Sequence, residues 1–305
     1  MKEQIELFLA RSFSYLPLSW VRKIGEALGA RSGRKAIVAK RKWVARLHDN
    51  MRRLSGVDSS EEREQRIIDY TRRIGRLYAE IPVLHRLDAN GRVEVQGKEH
   101  LAQIDRPVIM VSAHLSNWEM IGHLIKHEIK GPWRVLYLPL KSRVRTKLVC
   151  EARMGWYSAE PEGSVLLPTD TSSSLRKINR AIAEGKNLLI FVDEEKHDYV
   201  WAPSLGRSPF YTGNLWFAAR MAVKHQMDIL PAYVEPSENG SYKVVVEPLM
   251  KVSEDEAAKP QALKLARQMD EALDRWVRQW PEHWYWLPYL ELDKEPPSYS
   301  SSPAS

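Results

Sequence analysis

Val108-Ile-Met-Val-Ser-Ala-His114-Leu-Ser-Asn-Trp-Glu119 is the stretch that decides how the rest of this chain is read. Val108 to Val111 is an apolar run of the length and composition of a buried strand. It ends on a histidine. Ser116 precedes an apolar-periodic segment (Met120, Ile121, Leu124, Ile125), and Glu119 follows it by three residues. That Ser-x-x-Glu pattern is a capping box and predicts a helix over about 116–130. A strand ending on His and a helix opening on Glu place an imidazole and a carboxylate at one strand–helix turn. On a single helix, five steps of about 100° would set the two side chains well apart, an objection that disappears across a turn. Ligands bind at the carboxyl ends of strands in α/β sheets, and a His oriented by a carboxylate is the minimal general-base pair for a hydroxyl. Two plainer roles fit the same residues: Glu119 as a cap alone, and His114 as a satisfied core histidine.

Outward from this stretch, strands are expected over 92–96, 107–112, 134–139, 164–167, 188–193, 228–234 and 242–248. Helices are expected near 116–130, 143–154, 174–185, 213–225 and 260–280. Such alternation predicts an α/β fold: a mixed, largely parallel central sheet flanked by helices. Before it, residues 1–30 carry Ile5, Phe8, Leu9, Phe13, Leu16, Trp20, Val21, Ile24 and Leu28, interrupted by Pro17 and Gly25. They read as two short amphipathic helices, suited either to a membrane interface or to docking on the protein's own core. Residues 31–53 are strongly basic, and a helix is expected near 61–85. The expected organisation is therefore 1–53 as an amphipathic and basic membrane-interface segment, 54–291 as the catalytic domain, and 292–305 as a disordered tail rich in Ser and Pro.

The 305 residues are 44% hydrophobic, enough for one large core, and carry a net charge of +7. The charge favours an anionic partner, with basic residues beside an amphipathic segment pointing to anionic lipid. Nucleic acid is the rival and is not the expected partner. A lone cysteine, Cys150, excludes an intramolecular disulfide. No run reaches the roughly 18 apolar residues of a spanning helix, and no Walker loop, Gly-x-Ser-x-Gly elbow or Gly-x-Gly-x-x-Gly occurs.

Three further groups have the composition of sites. Lys141, Arg143, Arg145, Lys147 and Arg153 follow a strand and read either as a solvated helix face or as a basic rim for phosphate or an acidic carrier protein. Asp193 ends the apolar Leu188–Phe191 run and is the acid nearest the sheet. Glu119, His123 and His127 recur every four residues, a spacing able to hold zinc, but the His-Glu-x-x-His order is absent and no metal or other cofactor is expected.

Taken together, these residues resemble the late lipid A acyltransferases, the lauroyl and myristoyl transferases of bacterial lipopolysaccharide biosynthesis. His114-Leu-Ser-Asn-Trp-Glu119 is similar to that family's His-x-x-Asn-Trp-Glu core, and Tyr137-Leu-Pro-Leu-Lys141 to its Tyr-Arg-Pro-Leu-Lys. Val192-Asp193-Glu resembles its Asp-Gln-Asp stretch, and Pro281-Glu-His-Trp-Tyr-Trp-Leu287 its Pro-Glu-Gln-Trp-x-Trp-Leu. Leu138, Thr169 and Pro288-Tyr289 depart from it, standing where the family carries basic residues. Their loss would fit a less phosphorylated acceptor.

The resemblance implies a glycerolipid-acyltransferase-like fold and transfer of a fatty acyl group from an acyl carrier protein (or coenzyme A) thioester to a hydroxyl of a glycolipid, a lipid A precursor. It implies His114 as base and Glu119 as orienter of its other nitrogen. Arg153 would be the oxyanion donor, with Asp193 fixing that guanidinium. Asn117, Trp118 and Lys141 would contact substrate. The implied partners are acyl carrier protein, a glycolipid acceptor and an anionic membrane surface, and the implied location is peripheral, on the cytoplasmic face of the bacterial inner membrane. The alternatives are transfer to another membrane lipid, a lipid hydrolase using the same pair on water, or a non-enzymatic surface binder.

Overall fold

Alternate residues of Val108–Ser112 enter two separate cores. Ile109 and Val111 pack with Leu188, Ile190 and Ile229 on one face of a sheet; Val108 and Met110 pack with Leu189 and Leu230 on the other. Burial on both faces is why the strand reads as a continuous apolar run and lacks polar alternation. A computed structural model gives these positions. It describes residues 12–56, 60–89, 91–140, 142–156, 165–169, 173–193, 195–196, 199–236 and 240–295.

The strands are β1 (Val93–Gln96), β2 (Val108–Ser112), β3 (Trp133–Tyr137), β4 (Leu166–Pro168), β5 (Asn187–Phe191), a short hairpin of β6 (Glu195–Lys196) and β7 (Tyr199–Val200), β8 (Asp228–Glu235) and β9 (Tyr242–Val246). Seven form one sheet in the order β1-β9-β8-β2-β5-β3-β4, parallel throughout except for the β8–β9 pair. This is the mixed, largely parallel sheet expected from the sequence, and each of its strands lies within about two residues of its expected place.

The helices, in order, are α1 (Leu18–Val38), α2 (Lys42–Ser55), α3 (Ser60–Glu80), α4 (Leu84–Ala89), α5 (Lys98–Leu101), α6 (Ile121–His127), α7 (Arg143–Met154), α8 (Ser174–Ala183), α9 (Gly213–His225) and α10 (Ala258–Gln279). Helices α9 and α10 cover one face of the sheet, while α4 and α6 cover the other.

Two sequence expectations are corrected here. Gly25 does not break the N-terminal helix: α1 starts behind Pro17 and runs unbroken to Val38. Gly25 and Gly29 instead let α1 lie almost backbone-to-backbone on Gly75 of α3. A Cβ at Gly29 would stand 2.1 Å from the carbonyl oxygen of Thr71, and one at Gly75 2.2 Å from that of Gly25. Close packing offsets the roughly 1 kcal/mol that each glycine costs inside a helix. The second correction concerns 116–130, where a 3₁₀ turn over Trp118–Met120 leads into the shorter α6. Ser116 adopts φ +54°, left-handed backbone in place of the extended geometry typical of a Ser N-cap, and the turn begins after Asn117 with no side-chain cap, so the capping box does not form.

Docking of α1 leaves an apolar outer surface. Trp20 is 62% exposed, Leu28 59% and Val38 83%. Helix α2 buries Leu47 and Met51, while its Asn50 Nδ2 donates to the carbonyls of Leu287 and Leu290, each at 2.8 Å. Both helices thus share their packing with residues beyond 54. Among the described residues, no helix is long and apolar enough to cross a membrane. Residues 1–11 and the tail from Pro296 lie outside the described residues.

Candidate active site

Parallel pairing of β2 with β5 builds the site. The register sets Ser112 beside Phe191, so two residues further on His114 stands beside Asp193. Nδ1 of His114 lies 2.8 Å from Oδ1 of Asp193, and the backbone N–H of His114 donates to Oδ2 at 2.7 Å. Trp284 Nε1–H donates to the same Oδ2 at 2.8 Å, and the carboxylate is fully buried. With Nδ1–H donating to Asp193, Nε2 is left with its lone pair, the state a general base needs. Trp286 Nε1 also approaches Nδ1, at 3.2 Å. A protonated Nδ1 has no lone pair to accept that N–H, so in this tautomer the indole packs against the ring and does not hydrogen-bond to it. The imidazole stands among Trp118, Phe191, Trp286 and Tyr285, with centroids 4.6–6.3 Å away. Such π-faces favour a transient imidazolium.

The segment after α10 clamps the His114 loop. The N–H of Ser116 donates to the carbonyl of His283 at 3.0 Å, that of Tyr285 to the carbonyl of His114 at 2.9 Å, and Leu115 bridges Trp284. This is the structural work of the Pro281–Leu287 motif. Burial, aided by the positive charge of Arg73, pushes the His283 imidazole down to about 3. The folded protein therefore holds it neutral, while the unfolded chain takes up a proton below about 6.5. Stability from this residue is complete above pH 6.5 and is lost as pH falls from there towards 3, by up to about 1.4 kcal/mol per unit. Urea midpoints measured between pH 7 and 5 should fall less steeply for His283→Gln than for wild type. Parallel curves would remove His283 from the acid response.

Glu119 is not the partner of His114. It forms a two-point pair with Arg153, 2.9 Å to Nε and 2.6 Å to Nη2, and both side chains are largely buried. Asp193, expected to fix Arg153, holds the histidine instead. The four residues thus come together at one site with their partners exchanged. The 3₁₀ turn explains this: it carries Glu119 around towards α7, away from the strand end that His114 shares with Asp193.

Asn117, expected to touch substrate, is 3% exposed and turned inward, where its Nδ2 donates to Glu80 Oε2 at 2.8 Å. Glu80 is a fully buried hub that also accepts from Arg22 (2.6 Å), Arg76 (3.2 Å) and the hydroxyl of Tyr242. The Tyr242 phenol is pushed above its usual range by burial and by the charge of Glu80, so it stays a donor. Sequence reasoning missed Glu80. Its partners lie 37, 58 and 162 residues away, with Arg76 alone at helical spacing.

Trp118 lines a cavity of about 350 Å³ together with His114, Glu119 and Arg153. Its deeper wall is apolar, including Ile81, Ile121, Val135 and Leu189, and Leu138 and Thr169 also line it. Lys141 lies outside the described residues. The arrangement is a histidine–carboxylate pair at a largely apolar cavity that the Arg153 guanidinium also lines.

A comparison with curated proteins finds no match. Among solved structures, the chain is similar to the crystal structure of the 1-acyl-sn-glycerophosphate (LPA) acyltransferase, PlsC, from Thermotoga maritima. The identity is 15%, over 86% of this chain and 99% of that one, with a TM-score of 0.41. The family model for the bacterial lipid A biosynthesis acyltransferases matches residues 4–290, a span that takes in the whole sheet, both exchanged pairs and the tryptophan clamp. By that match the chain belongs to the bacterial lipid A biosynthesis acyltransferase family.

Proposed function

We propose that the protein transfers a fatty acyl group from an acyl carrier protein or coenzyme A thioester to a hydroxyl of a glycolipid, a lipid A precursor. It does so while attached peripherally to the cytoplasmic face of the bacterial inner membrane. One observation carries this reading: the His114–Asp193 pair opens on a cavity of about 350 Å³ whose inner wall is apolar. That cavity suits an acyl chain with its thioester held at the mouth. Nε2 of His114 removes the proton as the acceptor oxygen attacks the thioester carbonyl. The C–S bond then breaks, and the imidazolium returns the proton to the leaving thiolate. Asp193 holds the tautomer and stabilises the imidazolium, and Arg153, positioned by Glu119, faces the charge that builds on the carbonyl oxygen.

The surroundings support a lipid acceptor. A second, open groove of about 630 Å³, lined by Leu28, Trp43, Ile74 and Tyr289, shares Tyr78 and Tyr285 with the first cavity. It offers an apolar path for chains that the acceptor already carries. Leu138, 69% exposed, supplies no charge at the mouth where relatives are expected to carry Arg, which favours an acceptor with less phosphate. Exposed Trp20, Leu28 and Val38 adjoin exposed Arg31, Arg34, Lys35, Lys40, Arg41 and Lys42, the pairing of apolar and basic side chains that holds anionic bilayers.

The test supplies acyl carrier protein carrying a labelled fatty acyl thioester, with total membrane lipids as acceptor. Label should move to a glycolipid and be released by mild alkali as an ester. Label appearing as free fatty acid at the same rate with and without lipid would make the protein a hydrolase. Retention of all label on the carrier would remove the enzymatic reading.

A further inference from the structure

Further along α6 from the Glu119–Arg153 pair, two histidines converge on one carboxylate oxygen. Nδ1 of His123 and Nε2 of His127 each lie 2.7 Å from Oδ1 of Asp88, the penultimate residue of α4. The imidazole centroids are 4.5 Å apart, and the three donor atoms all lie within 4.8 Å of one another. We propose that Asp88, His123 and His127 form a divalent-cation site of the zinc class, separate from the catalytic pair. Glu119, which shares the helical stripe of the two histidines, takes no part because Arg153 holds it.

The donor set selects the metal. Two imidazole nitrogens and one carboxylate oxygen suit zinc, with water in the fourth position, whereas calcium and magnesium take cages of oxygen. Histidines four residues apart share one helix face, so α6 supplies two ligands without rearrangement of its backbone. Zinc bonds of about 2.0–2.1 Å in a tetrahedron separate the donor atoms by roughly 3.3 Å. The present 2.7 Å contacts must therefore open by about 0.6 Å, with all three donor atoms already within 4.8 Å of one another. Each imidazole then carries its proton on the nitrogen away from the metal. Lys126 Nζ lies 2.7 Å from Oδ2 of Asp88, which fixes the carboxylate and leaves Oδ1 as the ligand atom. Its positive charge also moderates the affinity. Bound metal would tie α4 to α6, whose leading 3₁₀ turn carries Trp118 and Glu119 of the active-site wall.

The experiment uses the full chain without an affinity tag, stripped by chelator and then titrated with Zn²⁺, and separately with Co²⁺ as a coloured reporter. Wild type should take up about one Zn²⁺ per chain, melt at higher temperature when loaded, and give the visible bands of four-coordinate Co²⁺. His127→Ala, at a position whose side chain is 42% exposed, and Asp88→Asn should each weaken Zn²⁺ binding by at least about tenfold and abolish the Co²⁺ bands. Metal-free His127→Ala should melt close to metal-free wild type, which separates lost ligation from lost folding. Absence of saturable uptake by wild type, or a loss below tenfold in both variants, overturns the site.

Discussion

Asp193→Asn should lower acyl transfer by about 10⁴-fold, the largest catalytic loss expected from any single substitution in this protein. The side chain stays the same size, and its carbonyl oxygen can still accept from Trp284 Nε1 and from the His114 N–H. What changes is the group facing Nδ1, 2.8 Å away. An amide NH₂ placed there donates to Nδ1, so the imidazole must carry its proton on Nε2 and has no lone pair there with which to act as a base. His114→Ala removes the base itself and should lose about 10²–10⁴-fold. Because the two residues act as one unit, the double variant should be no worse than the poorer single one. Turnover with acyl carrier protein thioester, measured beside thermal melting, checks both statements. Near wild-type turnover by Asp193→Asn would return the orienting role to some other group and undo the exchanged pairing.

The second large effect is on stability. Glu80→Ala removes the carboxylate shared by Arg22, Arg76, Asn117 and Tyr242, leaving two guanidinium groups facing a buried gap, with Glu26 3.6 Å from Arg76. Breaking a buried ion pair by deleting one partner costs about 3–5 kcal/mol, because the remaining charge has lost its counterpart. Urea unfolding should register a loss of that size. Glu80→Gln keeps the volume and part of the hydrogen bonding, so it should lose less stability. The same substitution loosens Asn117, whose neighbour in the loop is Trp118 at the cavity wall. A Glu80→Ala variant within about 1 kcal/mol of wild type would show that water or a shifted side chain replaces the carboxylate.

Much of the sheet was legible because its strands are buried on both faces, so their apolar runs stand out without any knowledge of topology. Asp193 and His114 were each legible as a polar residue ending such a run. Their pairing was not. Nearness in sequence favoured Glu119, whereas the choice of Asp193 depends on β2 lying beside β5 and on a register that carries no local signal. The capping box misled for a related reason: Ser116 has the right residue type, but backbone contacts to His283 hold it in a left-handed conformation. Gly25 was read as a breaker because helix propensity sees one helix at a time, while its role is set by Gly75 on another. Glu80 stayed hidden because all but one of its partners are distant in sequence.

The tryptophan clamp also sets an order of events during synthesis. Residues 283–286 follow the nine strands of the described residues, yet they provide the carbonyl that holds Ser116, the N–H that holds His114 and the indole that holds Asp193. Domains form from the N-terminal end as the chain emerges at about 5–20 residues per second. A nascent chain can therefore build its sheet while the loop that bears its base is still unfastened. The sheet and the catalytic geometry mature separately, and a ribosome stalled before residue 283 carries a scaffold with an idle histidine. On the proposed mechanism, the base becomes competent only after the last aromatic segment has left the ribosome and closed over it.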